Sequence, residues 1–237
     1  FFLADSLNEG KPSWLKVFGD WSTIYPALSQ LPDAARESWF AFDHYYSDGA
    51  FNAALPYVFA NTPTTLYDVG GNTGKWALRC CKYNENIAVT LLDLPQQIIL
   101  AKENIANAGF SDRIDFHAVD MLSEAPLPGE ADIWWMSQFL DCFSPEQIIS
   151  ILSKIASVMK PGAKLCIMEL FWDAQRFEAT SFSLNASSLY FTCMANGNSR
   201  FYSAEKFYEY LNKAGFQVAE RHDNLGVGHT LLICQKK

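Results

Sequence analysis

Residues 66–74 read Leu-Tyr-Asp-Val-Gly-Gly-Asn-Thr-Gly, a short apolar run that passes straight into a glycine-rich bend. Glycine adopts backbone conformations closed to other residues and lets a ligand come close to the main chain, while a helix opening behind such a bend presents unpaired N–H groups. The stretch therefore predicts a strand over 66–70, a bend built from Gly70, Gly71, Asn72 and Gly74, and a helix after it. Asn72 stands where a third glycine is common, and the bend survives because Asn tolerates positive φ better than other side chains. A glycine turn by itself does not separate a dinucleotide site from a structural corner.

Outward from this bend, β-rich apolar runs alternate with longer helical stretches. Further strands are expected at 87–92, 114–119, 131–136, 163–170, 216–221 and 228–235, and their continuous apolar character fits burial on both faces. The alternation predicts an α/β architecture, a doubly wound, seven-stranded, mostly parallel sheet with helices on both faces. Ser144-Pro145-Glu146-Gln147 forms a capping box with proline at the first helical position, so a helix starts at about 145, and Lys160-Pro161-Gly162 ends it. The last two runs are separated by too few residues for a crossover helix, so they form an antiparallel hairpin. Residues 1–65 differ: they hold 14 of the 35 aromatic residues and look helical, with breaks at Pro12, Pro26, Pro32 and Pro56. They read either as an extra helical layer or as a lid and pocket wall, and residues 66–237 as the ligand-binding unit.

Bulk properties narrow the function. A net charge of -8 without any Lys/Arg run repels phosphate backbones, which argues against nucleic acid as a partner. No apolar run is long enough for a membrane span. Cys80, Cys81, Cys142, Cys166, Cys193 and Cys234 show no metal-ligand spacing and read as free thiols, so a cytoplasmic setting is expected and no metal site.

Carboxylates at successive strand ends sharpen the ligand. Asp93 closes the second strand, where a carboxylate can hold ribose hydroxyls, and Asp120 with Met121 closes the third, offering an acceptor and an apolar face to an adenine ring. Asp68 sits where a dinucleotide would bring its diphosphate and would repel it. S-adenosylmethionine, with an ammonium, a sulfonium and no phosphate, suits the same pattern. The charge arrangement selects that cofactor over NAD.

At this point the sequence resembles the plant-type small-molecule O-methyltransferases and their bacterial relatives, the group of caffeate and hydroxyindole O-methyltransferases. The resemblance rests on Asp68-Val69-Gly70-Gly71-Asn72-Thr73-Gly74, Leu91-Leu92-Asp93-Leu94-Pro95, Val119-Asp120-Met121, the segment 160–170 and Ala214-Gly215-Phe216. It implies a class I methyltransferase fold, methylation of a hydroxyl on a small aromatic, polyketide or polyene-like molecule, and cofactor contacts from Leu94, Ser137 and Phe143. It also implies an N-terminal winged-helix domain that makes a homodimer. The chain opens at Phe1, which under the resemblance would lie within the helices connecting to that domain. Where the family carries its general-base histidine this sequence has Asp141. Glu169 matches a glutamate that orients the base, and Ser199 replaces a second one. The resemblance thus makes Asp141 the base or acceptor-orienting group and Glu169 its neighbour, with Asp141 as a plain helix cap the opposing reading. His44 is a substitute base candidate, while His117 and His229 read as structural. Carbon or nitrogen methylation, or cofactor binding without catalysis, are the competing functions. Phe139, Phe171, Trp172, Phe182, Tyr190, Phe191 and Met194 are candidates for the acceptor pocket.

Overall fold

The computed structural model describes residues 2–28 and 30–237, without the side chains of Pro26, Phe40, Asp43, His44 and Tyr46. Seven strands run β1 (Thr65–Val69), β2 (Ala88–Asp93), β3 (Ile114–Ala118), β4 (Ile133–Ser137), β5 (Lys164–Glu169), β6 (Phe216–Leu225) and β7 (His229–Lys236). They lie in the order β3-β2-β1-β4-β5-β7-β6, all parallel from β3 to β5, with β7 inserted antiparallel between β5 and β6. This is the expected mixed sheet with its closing hairpin. The strand order reverses at β1 and β4, so a crevice opens at their carboxyl ends, where open α/β sheets take ligands.

The sheet has a core on each face because its strands alternate. On β4, Trp134 packs with Ile148, Ile151, Leu152 and Phe207 on one side, while Trp135 packs with Phe51, Trp76 and Met168 on the other. The first face is covered by α5 (Pro145–Val158) and α7 (Ala204–Lys213), the second by α2 (Asp33–Val58), α3 (Lys75–Tyr83) and α4 (Pro95–Asn107). Two further helices are α1 (Leu3–Glu9) and α6 (Glu178–Phe191).

Most boundaries fall within two residues of expectation, and the shifts have local causes. The first strand ends at Val69 because Gly70 turns to φ +69. The fourth starts at Ile133 rather than 131, and just ahead of it the Asp132 carboxylate accepts the N–H groups of Thr64 and Thr65 at 2.8 and 3.0 Å. The sixth runs on to Leu225 through two register shifts, and Glu220, Arg221 and Asp223 on it are exposed. Pro56 does not break its helix: it lies in the last turn of α2, where a missing N–H removes a single bond.

The capping box forms as read. Ser144 Oγ accepts from Gln147 N–H at 3.3 Å, and Gln147 Oε1 accepts from Ser144 N–H at 2.9 Å. Ser144→Ala is expected to cost about 1 kcal/mol of stability by removing one of these bonds. Chemical denaturation checks this, and a cost below about 0.3 kcal/mol would show that the cap is dispensable. No described helix is long and apolar enough to cross a membrane.

Candidate active site

A cavity of ≈ 700 Å³ opens at the carboxyl ends of β1, β2 and β4. Its floor is the glycine bend. A Cβ on Gly70 would stand 2.2 Å from the Phe139 ring, and one on Gly71 2.7 Å from Asp68 Oδ2, so both positions exclude any side chain. Asn72 takes φ +48 as its chemistry allows, and Gly74, at φ +80, caps α3. Gly70, Gly71 and Asn72 line the cavity, whereas Gly74 packs away from it against Ile105.

Three carboxylates converge on this floor. Asp68 is buried, its Oδ2 has no hydrogen-bond partner among the described residues, and burial together with the charge of Asp93 pushes its carboxyl up to about 8. Asp93 accepts from Asn72 N–H through Oδ2 at 2.8 Å and from Leu94 N–H through Oδ1 at 2.7 Å. Burial raises it to about 6 against these two bonds, which favour its charge. Asp120 is exposed and steadies its own turn by accepting from Leu122 N–H at 2.9 Å, just beyond the end of β3. Leu94, Met121, Ser137 and Phe143 complete this wall, and Ser137 Oγ is likewise without a partner among the described residues.

The opposite wall carries Asp141 in a short turn, Leu140–Cys142. Asp141 does not cap α5, because Ser144 does, and the helix-cap reading falls. Glu169 does not reach the cavity. It lies buried behind the turn, its Oε1 accepting from Phe139 N–H at 3.2 Å and Leu140 N–H at 3.0 Å. Burial, then the charge of Asp141, holds its carboxyl well above the ordinary range. Glu169 acts by positioning the turn, while its Oε2 has no hydrogen-bond partner among the described residues.

Several groups facing the cavity escape sequence reading. Trp76 and Trp135 stack with ring centroids 3.8 Å apart, and Phe51 packs against both. Asn196 Oδ1 accepts from the N–H groups of Asn198 and Ser199 at 2.8 and 2.7 Å, and its amide donates to the Cys142 carbonyl. Gln138, at φ +46, meets His229 Nε2 at 3.2 Å; burial lowers this histidine to about 4, so it is neutral and structural as expected. His117 lies in β3 outside the cavity lining, and the side chain of His44 falls outside the described residues. Of the acceptor-pocket candidates, Phe139 and Phe191 line the cavity, while Tyr190 and Met194 line a smaller neighbouring one with Phe191. Phe171 belongs to the core, and Trp172 and Phe182 are exposed outside the lining. Thr23, Tyr25, Leu28, Trp39, Phe42 and Phe51 bring residues 1–65 into the wall.

Residues 2–217 match the family model of the O-methyltransferase domain. The chain belongs to that family. This O-methyltransferase domain is 29% identical over 150 residues to a 3-hydroxy-5-methyl-1-naphthoate 3-O-methyltransferase of Streptomyces sahachiroi, a match covering 63% of the chain and 42% of that protein. It is 28% identical over 237 residues to an N,N-dimethyltransferase of Streptomyces rimosus, covering 99% of the chain and 66% of the relative. The chain thus spans less than two thirds of either curated relative. An O-methyltransferase from neocarzinostatin biosynthesis, solved with S-adenosylmethionine and 2-hydroxy-5-methyl naphthoic acid, superposes with a TM-score of 0.79 at 19% identity, over 99% of the chain and 67% of that structure. That likeness establishes the class I methyltransferase fold of the domain.

Proposed function

We propose that this domain transfers a methyl group from S-adenosylmethionine to a hydroxyl of a small aromatic or polyketide-like molecule. The observation that carries the reading is the buried, unpartnered Oδ2 of Asp68 against a glycine bend that no side chain can fill, with Asp93 and Asp120 on the same floor. Such a floor fits a cationic nucleoside and repels a diphosphate, so NAD chemistry does not suit it. Asp68 and Ser137 would hold the amino-acid end of the cofactor, Asp93 the ribose, and Asp120, Leu94, Met121 and Phe143 the adenine, with Gly70, Gly71 and Asn72 supplying a close backbone and Gly74 shaping the bend. When bound, S-adenosylmethionine supplies an activated methyl group on a sulfonium.

The chain's own task is to orient the acceptor and take up its proton. Asp141, on the wall where the acceptor would lie, would do the second. A phenol near pKa 10 and a carboxylate near 3.9 differ by about six units, so complete transfer ahead of methylation is uphill by roughly 8 kcal/mol. Asp141 therefore accepts the proton as the methyl group moves, and much of the rate comes from placing the acceptor oxygen in line. Glu169 keeps the turn bearing Asp141 in place. Asp141→Asn is expected to lower turnover at least about tenfold with unchanged affinity for S-adenosylhomocysteine. Turnover of a hydroxyarene panel with labelled S-adenosylmethionine, alongside calorimetry, tests this, and an unchanged rate would remove Asp141 from proton transfer.

A second reading, methylation of a carbon or amine nitrogen, is favoured by the carboxylate that stands on this wall in place of an imidazole. Product identified by mass separates the two, and cofactor binding without any product would mark a regulatory protein. Extended to the whole protein, the reading is of a cytoplasmic homodimer in which residues 66–237 bind the cofactor and residues 1–65 close over the acceptor.

A further inference from the structure

Three segments meet on the acceptor side of the cavity: the turn Tyr25–Ala27, the turn Leu140–Cys142, and the stretch that follows the π-helical turn Thr192–Asn196. The first is fastened to the third by Ile24 N–H donating to the Ala195 carbonyl at 2.8 Å. Tyr25, Asp141, Cys142, Asn196 and Ser199 all line the cavity there.

The proton inventory of this cluster is constrained. Two backbone N–H groups fix Asn196 Oδ1 as an acceptor, and Ser199 Oγ donates its single proton to the same atom at 3.1 Å. Ser199 can then only accept from Tyr25, whose hydroxyl lies 3.2 Å from Ser199 Oγ. The Cys142 thiol points its proton at Asp141 Oδ1, 3.5 Å away. Tyr25 thus holds a donatable hydrogen within reach of two neutral acceptors, Ser199 Oγ and the Cys142 sulfur, which a better acceptor would displace. Burial, then the neighbouring Cys142, keeps the phenol far above its ordinary range, so it is a donor and never a base.

We propose that Tyr25 recognises the acceptor hydroxyl: its O–H swings from Ser199 Oγ to the acceptor oxygen, while Asp141 accepts the hydrogen on that oxygen. The swing needs only rotation about one C–O bond. A donor placed on the oxygen stabilises the negative charge that builds there as its proton leaves. Asn196 and Ser199 act through Tyr25 by holding it ready. The inference rests on the methyltransferase reading and deepens it, since it makes the acceptor an oxygen with both a hydrogen to give and a lone pair to share.

Calorimetry on the full chain loaded with S-adenosylhomocysteine, using 2-naphthol and naphthalene as probes, tests this without turnover. The wild-type protein is expected to prefer naphthol by at least about tenfold. Tyr25→Phe keeps the ring and its packing, so affinities for naphthalene and S-adenosylhomocysteine should stay put while naphthol binding falls about tenfold. A wild-type protein that binds neither probe, or both alike, or a variant that keeps the full preference, overturns the role of Tyr25. Failure of the wild-type protein to bind S-adenosylhomocysteine at all would instead overturn the methyltransferase reading.

Discussion

Replacing Asp93 with alanine is expected to weaken S-adenosylhomocysteine binding at least about a hundredfold. Asp93 does two things at once. Its oxygens anchor the bend by accepting from Asn72 and Leu94, and its remaining capacity faces the cavity, where the ribose hydroxyls would lie. Hydrogen bonds to a charged group contribute about 1.5–3 kcal/mol each, so losing two of them already exceeds the roughly 2.7 kcal/mol that a hundredfold change represents. Asn72, held at φ +48, would also lose the bond that keeps it there. Isothermal calorimetry gives the dissociation constant directly. An affinity within about threefold of wild type, in a protein with unchanged melting temperature, would mean that the ribose is held elsewhere.

The second large effect is on pH. Asp68 sits at about 8 in the ligand-free protein, so at pH 6 its carboxyl is almost wholly protonated. A ligand ammonium favours the charged form, and binding must therefore release a proton. For a single group with that pKa the apparent affinity is reduced about a hundredfold at pH 6 and about twofold at pH 8, so binding of S-adenosylhomocysteine should tighten about fiftyfold across the interval. Asp93, at about 6, adds in the same direction at the acid end. The ligand-free protein should do the opposite. A carboxyl raised on folding favours the folded state only while protonated, so stability without ligand falls as pH climbs from about 4, the unfolded value, toward 8. Calorimetry in buffers of different ionisation enthalpy counts the released protons. A pH-independent affinity with no proton release would show that Asp68 does not face the ligand's cationic end.

Both effects arise from residues that the sequence already singled out, and the reason is physical. Asp68 and Asp93 lie on parallel strands, Asp120 just beyond the third, and in a doubly wound sheet the strand ends fix where these side chains go. The capping box at Ser144 was equally legible because its partners lie within one turn of chain. The family resemblance, not the strand pattern, puts Glu169 beside Asp141, and its burial behind the turn is not legible because Phe139 and Leu140 claim its carboxylate through backbone groups that carry no residue-specific signal. Tyr25, Gln138 and Asn196 were missed for a related reason. They reach the cavity through irregular turns, whose course depends on tertiary packing rather than on periodicity. Phe182 erred the other way: its aromatic character suggested a pocket wall, and it stands in solvent.

Any open sheet ends in a row of unsatisfied backbone groups that a second chain can extend, and long apolar edges seed fibres. In β6 that row is guarded by Glu220, Arg221 and Asp223, with Arg221 paired to Asp223 at 2.9 Å and register shifts interrupting the ladder. An incoming strand would have to bury these charges and match an irregular spacing, which disfavours extension of the seven-stranded sheet at this edge.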